Sequence, residues 1–290
     1  MNTAILTDGL KFPESPRWRE GELWFCDYAL HRVMKVDLSG TLHTVAELPD
    51  LPTAIDGTPD GRVLVVSATQ RRVLRLENGR LTEFADLSGL VPHPCGELVV
   101  DTLGRAYVGN IGLEFGTPSP VPNPGSILLV TPEGRARIVA EGLAFPNGMA
   151  ITPDGQILIV AESHAARLTA FDIEPDGSLS GRRAWAQFDE ALPFAAGRFT
   201  PDGLCLDAEG AVWVAALREV LRVREGGEVT HRIGLDHFAL ACMLGGQDRR
   251  TLFIAATNVL NPADSQAQGQ IEMVEVEVPG AGLPWLIEVP

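Results

Sequence analysis

A short turn followed by an alternating apolar run recurs six times along the chain, and no helical period competes with it. The units read Glu20-Gly21 then Leu23-Trp24-Phe25, Asp60-Gly61 then Val63-Leu64-Val65-Val66, and Leu103-Gly104 then Ala106-Tyr107-Val108. They continue at Asp154-Gly155 then Ile157-Leu158-Ile159-Val160, Glu209-Gly210 then Val212-Trp213-Val214, and Asp248-Arg249-Arg250 then Leu252-Phe253-Ile254. In most of them a glycine supplies the positive φ that a tight β-turn requires. A second alternation follows each strand, as in Arg32–Val36, Arg72–Leu76 and Ser126–Val130, and then an outer strand such as Leu42–Ala46, Leu81–Ala85 or Ala136–Ala140. Four strands per unit, with units roughly 40–55 residues apart, predict an all-β six-bladed propeller of antiparallel blades around a central channel. Residues 1–290 then form one domain, and Ala4-Ile5-Leu6 closes the ring by pairing with the last blade around 271–278.

A second repeat sits inside the first. Thr7-Asp8-Gly9-Leu10-Lys11-Phe12-Pro13-Glu14 recurs as Ala140-Glu141-Gly142-Leu143-Ala144-Phe145-Pro146-Asn147, and Pro201-Asp202 repeats its end. Aligning the units on their turns puts Glu14, Thr53, Gly96, Asn147, Asp202 and Ala241 in register. Four of these follow a proline, which has no N–H for a sheet ladder and suits the first position of a strand. The position is therefore a strand start near a channel mouth. Glu14, Asn147 and Asp202 carry oxygen donors there while the other three residues are small, so the oxygens can converge on one divalent ion such as Ca²⁺, Mg²⁺ or Mn²⁺. The competing reading is three surface turn residues, since Asp and Asn are common where strands begin.

Charge and composition narrow the partners. A net charge of −15 without any Lys/Arg cluster excludes a nucleic-acid binder and disfavours anionic membrane surfaces. The N-terminal residues lack a basic signal region and no apolar run approaches the about 18 residues of a membrane helix, so a cytoplasmic protein acting on a small molecule is expected. Cys26, Cys95, Cys205 and Cys242 are too scattered for a zinc site or disulfide framework and are expected as reduced thiols. The histidines lack ligand spacing, and His164 has no nucleophile arrangement that would make a triad. Three segments interrupt the repeat, 112–125, 188–199 and 258–270; the first reads as a loop near the mouth, either a lid or a rigid decoration. The tail 279–290, with Trp285, packs on the propeller or on a second subunit, consistent with a monomer or weak homodimer.

The motifs Phe12-Pro13-Glu14-Ser15-Pro16-Arg17-Trp18, Phe145-Pro146-Asn147-Gly148-Met149 and Pro201-Asp202-Gly203-Leu204-Cys205-Leu206-Asp207 resemble those of the gluconolactonase/regucalcin (senescence-marker-protein) family. The likeness extends through Asp101–Asn110 and Leu244–Phe253, essentially the full length. It implies a six-bladed propeller with one divalent ion at the channel mouth, Ca²⁺ first, with Mg²⁺, Mn²⁺, Zn²⁺ and Fe²⁺ also compatible. It also implies hydrolysis of sugar or related lactones by metal-activated water. The family's metal-binding Glu, Asn and Asp fall on Glu14, Asn147 and Asp202, and Asp202 is implied as the general base, with Glu97 a second acid or base.

The chain departs from relatives in two blades. Many carry Asn-Asp where this chain has Gly96-Glu97, and Pro-Ser-Gly where it has Pro52-Thr53-Ala54, which is followed by Asp56 near the channel. Glu97 either reaches the channel and replaces the lost amide or faces solvent beside a larger pocket. Asn110 and Glu162 lie past the far ends of inner-sheet strands, where each either lines the pocket or caps a loop; with Glu97 and Asp56 they are the candidate substrate contacts. Hydrolysis of a non-sugar ester, chemistry on an enolisable substrate, and a non-catalytic metal-binding propeller stand as rival readings.

Overall fold

A computed structural model describes residues 2–114, 124–188 and 200–281, which form six four-stranded antiparallel sheets. Each of the first five is a meander whose inner strand comes first: Pro13–Arg19, Pro52–Gly57, Cys95–Val100, Pro146–Ile151 and Pro201–Leu206. The sixth takes Phe238–Gly245, Thr251–Thr257 and Gly269–Glu275, and receives Ala4–Leu10 as its outermost strand. Ala4 pairs with Met273, Ile5 with Glu272 and Thr7 with Ile271, so the ring closes through the pairing expected of the sequence. Among the described residues no helix is long and apolar enough to cross a membrane.

Side chains alternate across each strand, and here both faces of a blade are buried against neighbouring blades. Leu98 and Val100 of the third inner strand pack with Ala54, Leu64 and Val66 of the second blade. Val99, pointing the other way, packs with Met149, Ile151 and Leu158 of the fourth. Burying each such aliphatic side chain contributes about 1.5–3 kcal/mol, so the core is a ring of apolar wedges between sheets. At the seam between first and last blades Trp18 stacks on Phe253, ring centroids 5.2 Å apart. All four cysteines are free thiols buried in strands.

Every inner strand slips register near its start: after Glu14, Pro52, Cys95, Pro146, Pro201 and Ala239 one extra residue is accommodated before regular pairing resumes. Such a bulge re-aims a side chain. In five blades it presents Glu14, Thr53, Gly96, Asn147 and Asp202 to one pocket, as the alignment of the turns required. In the sixth blade the residue at the bulge is Leu240, not Ala241, because that inner strand carries one more residue between its bulge and the following turn.

Ala241 belongs instead to the next ring of positions, Ser15, Ala54, Glu97, Gly148, Gly203 and Ala241, where inner strands approach most closely. A Cβ on Gly203 would lie 2.3 Å from the Cβ of Ala241, and one on Gly148 would lie 2.3 Å from the Asp202 carbonyl oxygen. The glycines after Asn147 and Asp202 are thus demanded by neighbouring backbone. Gly148→Ala is expected to destabilise the fold by about 1–3 kcal/mol through overpacking, read as a lowered denaturation midpoint. An unchanged midpoint would contradict the close approach.

Candidate functional site

Where the inner strands begin, a pocket of about 200 Å³ opens at the end of the channel. Its polar lining is Glu14, Asn147, Asp202, Glu97, Thr53 and Tyr28, and Phe12, Ile111, Phe145, Leu240, Leu260 and Pro262 supply the apolar part. Glu14, Asn147 and Asp202 are half-buried, each presenting an edge to the pocket. The Asn147 amide nitrogen donates to Ser163 Oγ at 3.3 Å, and that hydroxyl donates to the Pro201 carbonyl at 2.7 Å, which ties the fourth blade to the fifth. Glu14 Oε2 accepts only a long bond, 3.3 Å, from the Ser15 N–H.

The two carboxylates are held against their preference. Burial pushes the Glu14 pKa well above its ordinary value, and the charges of Asp202 and then Glu97 add to the rise. Asp202 is raised by burial first and by Glu97 second, against lowering by the Gly203 N–H and the Asn147 side chain. Its Oδ1 is buried without a hydrogen-bond partner. A buried, unpartnered carboxylate oxygen beside a second carboxylate is costly unless a cation completes it. Among the described residues no three His, Cys, Asp or Glu side chains are gathered to ligate an ion by themselves, so a chelate here draws on the Asn147 amide. Hard oxygen donors of this kind fit a divalent ion.

Below the pocket the ring of small residues is broken once, by Glu97. Its Oε1 accepts from Ser15 Oγ at 2.9 Å, Arg17 Nη2 at 3.1 Å and the Leu98 N–H at 2.9 Å. The third blade is thereby tied across the channel to the first. Arg17 also donates to the Leu98 carbonyl at 2.9 Å, and its Nε lies 3.7 Å from Asp56 Oδ1. Burial works against the Arg17 charge, but Glu97 and Asp56 outweigh it and raise its pKa. Burial pushes Asp56 up to about 7 despite Arg17 and the N–H groups of Val100 and Gly57. Glu97 therefore does reach the channel and borders the pocket, whereas Asp56 lies beneath it, outside the lining.

Asn110 and Glu162 are also placed outside the pocket lining, for a reason the repeat makes plain. Each ends the second strand of its blade, opposite the first residue of the inner strand: Asn110 faces Cys95, Glu162 faces Pro146, and Asp27 faces Pro13. From there each holds the backbone that leads into the inner strand. Asp27 accepts from the Lys11 and Phe12 N–H groups, Glu162 accepts from the Ala144 N–H, and Asn110 donates to the His93 and Pro94 carbonyls. Burial works to raise the Glu162 pKa, but Arg167, the Ala144 N–H and Thr169 together lower it. These are staples of the blade entry, so the loop-capping alternative describes both.

Sequence reasoning assigned no role to Arg17, Phe12, Phe145, Ile111 or Leu240. Phe12 and Phe145 were visible as the first residue of the repeated Phe-Pro pair. Ile111, one residue beyond a strand, gave no signal. The 258–270 insertion brings Leu260 and Pro262 to the pocket. The expected lid over 112–125 lies largely outside the described residues, as does most of 188–199 and the tail from 282.

Residues 12–258 match the family described as the SMP-30/gluconolactonase/LRE-like region. No curated protein matches the chain in sequence. Among solved structures it resembles a luciferin-regenerating enzyme at 16% identity and a TM-score of 0.81, covering 96% of this chain and 97% of that one. It also resembles the calcium-binding protein regucalcin of Agrobacterium tumefaciens, at 20% identity and 0.78 over 96% and 95% of the two chains. A gluconolactonase of Xanthomonas campestris aligns at 20% identity and 0.73, over 94% and 89%. At these identities the likeness shows the shared propeller.

Two measurements check the electrostatics. Arg17→Met leaves Glu97 and Asp56 buried without their cation and is expected to cost about 3–5 kcal/mol in chemical denaturation. Adding Glu97→Gln is expected to recover part of that loss; no recovery would refute the pairing. The carboxylates of Glu14 and Asp202 have folded pKa values above their unfolded ones, so their contribution to stability is full below about pH 4 and is lost as pH rises through the folded values. With divalent ions chelated, Asp202→Asn is therefore expected to melt about 2–4 °C above the parent protein at pH 8. The gap is expected to close near pH 4, and a parent protein that melts higher at pH 8 would contradict the repulsion.

Proposed function

The chain belongs to the SMP-30/gluconolactonase/LRE-like family, and from the pocket it carries we propose a divalent-metal-dependent hydrolase that opens lactones. The observation that carries this reading is the pair Glu14 and Asp202, held together against burial and mutual repulsion, with Asp202 Oδ1 unpartnered. Glu14, Asn147 and Asp202 would hold the ion. Ca²⁺ is the ion to supply first, since the regucalcin of similar fold is a calcium-binding protein. When bound, such an ion polarises a carbonyl oxygen and acidifies a water molecule.

The residues of the chain divide the remaining work. The Asp202 carboxylate accepts the proton that water sheds as its oxygen bonds to the lactone carbonyl carbon. The ring C–O bond then breaks, and the proton returns from Asp202 to the departing alkoxide oxygen, giving a hydroxy acid. Glu97 commits Oε1 to Ser15, Arg17 and its own strand, so it serves by position: its charge faces Asp202 and keeps that carboxylate basic. Asn147, anchored through Ser163, fixes the distance between the fourth and fifth blades at the site.

Lactone opening followed by pH-stat titration tests the reading, with Ca²⁺, Mg²⁺ and Mn²⁺ supplied in turn after chelation. Activity is expected to vanish with the ion and return on its addition. Asp202→Asn is expected to lower kcat about 10²–10⁴-fold. Full turnover by that variant with the ion still bound would remove Asp202 as the base, and inactivity on every lactone would remove the hydrolase reading.

A further inference from the structure

The proposed reaction needs a carbonyl at the carboxylates, but it leaves open what the rest of the substrate is, and the walls of the pocket address that. The acids and amide come from the first, fourth and fifth blades, with Glu97 beside them. Apart from Thr53 and Tyr28, the rest of the described wall is apolar. In the sixth blade the residue at the bulge is Leu240, 2% exposed. In the third blade it is Gly96, and Ile111 fills the room a side chain there would need, since a Cβ at Gly96 would lie 3.0 Å from Ile111 Cγ2. The second blade supplies Thr53, whose hydroxyl is committed to the Gly96 carbonyl at 2.9 Å.

The rim continues the pattern. Phe145 takes a left-handed φ of 60°, uncommon for a bulky residue, and its ring packs against His164 with centroids 4.8 Å apart. Strain of this kind persists where surrounding structure holds it, and here it sets an aromatic ring at a pocket edge. Phe12 lies across the repeat from it, packed on Tyr28 at 5.7 Å. The 258–268 loop, closed by Asn258 and Gln268 bonding to each other in both directions, leaves Leu260 55% exposed at the mouth. Among the described residues no Lys, Arg or His lines the pocket.

Each hydroxyl of a sugar ring buried here would need a partner, and the wall of Ile111, Phe145, Leu240 and Leu260 supplies none to hydroxyls turned away from the carboxylates. An anionic substituent would meet carboxylates and, among the described residues, no cationic side chain. Resting on the lactonase reading of the same site, we infer that the substrate is a neutral lactone or cyclic ester carrying an apolar alkyl or aryl substituent, and not a polyhydroxylated sugar lactone. The carbonyl end sits at Glu14, Asn147 and Asp202, and the substituent runs between Ile111, Phe145, Leu240 and Leu260.

Calorimetric titration of the Ca²⁺-supplied protein tests this without turnover, using two rings that lack the scissile bond: pentyltetrahydropyran and anhydroglucitol. The alkyl ring is expected to bind at least about tenfold tighter, since each buried methylene is worth about fourfold. Leu260→Asn, at an exposed position where folding is not at stake, and Ile111→Asn are each expected to narrow that ratio. Equal or tighter binding of anhydroglucitol, or a ratio unmoved by Leu260→Asn, overturns the inference. A parallel assay compares alkyl-substituted δ-lactones with gluconolactone. Preference for gluconolactone overturns the inference and leaves the hydrolase reading intact; failure to open either class overturns the hydrolase reading, while the binding ratio still decides this one.

Discussion

Six inner strands share one narrow axis, and the room between them is set by backbone rather than by side chains. Where Gly203 faces Ala241 and Gly148 faces Asp202, a single added methyl has nowhere to go. That crowding forces small residues onto one ring of positions and makes the bulge just before it the place where larger side chains can turn toward the channel mouth. The pocket is therefore a product of strand spacing, and its chemistry is decided by which residue each blade places at its bulge.

Against this crowding the one large residue in the small ring, Glu97, has to be accommodated by charge. It crosses to Ser15 and Arg17, and Arg17 in turn neutralises Asp56 below it. Buried ion pairs add little net stability compared with apolar packing, so this cluster is better understood as fixing which blades face each other across the channel. It also sets a negative field directly under Asp202 and Glu14. The same charges that join the first and third blades thus tune the carboxylates of the pocket.

Much of this was legible in the sequence because propellers repeat. The turn-and-strand period predicts six blades, the Phe-Pro repeat predicts the equivalence of Glu14 and Asn147, and the start of the chain predicts its own pairing with the last blade. What the sequence did not give follows from local irregularity. Leu240 was displaced to Ala241 because aligning turns cannot register where a bulge begins. Asn110 and Glu162 offered polar groups near strand ends, and only the register shows that they repeat the stapling position of Asp27. Ile111 escaped notice because its importance lies in the space beside a glycine in another strand.

The strand that completes the sixth blade, Ala4–Leu10, precedes the other five blades in sequence, and the strand it pairs with, Gly269–Glu275, follows them. On a ribosome the two are separated by the synthesis of five intervening blades. Until the last blade emerges, Ala4–Leu10 has no sheet to join, the inner strand of the first blade has no Phe253 for Trp18 to stack on, and the forming stack of blades stays open at both ends. Closing so long a loop adds little to the equilibrium cost, because that entropy grows only with the logarithm of length, but long-range pairing is slow. While the intervening blades are made, the growing chain therefore carries one unpaired strand and two uncovered blade faces, surfaces on which chains associate with one another before they fold.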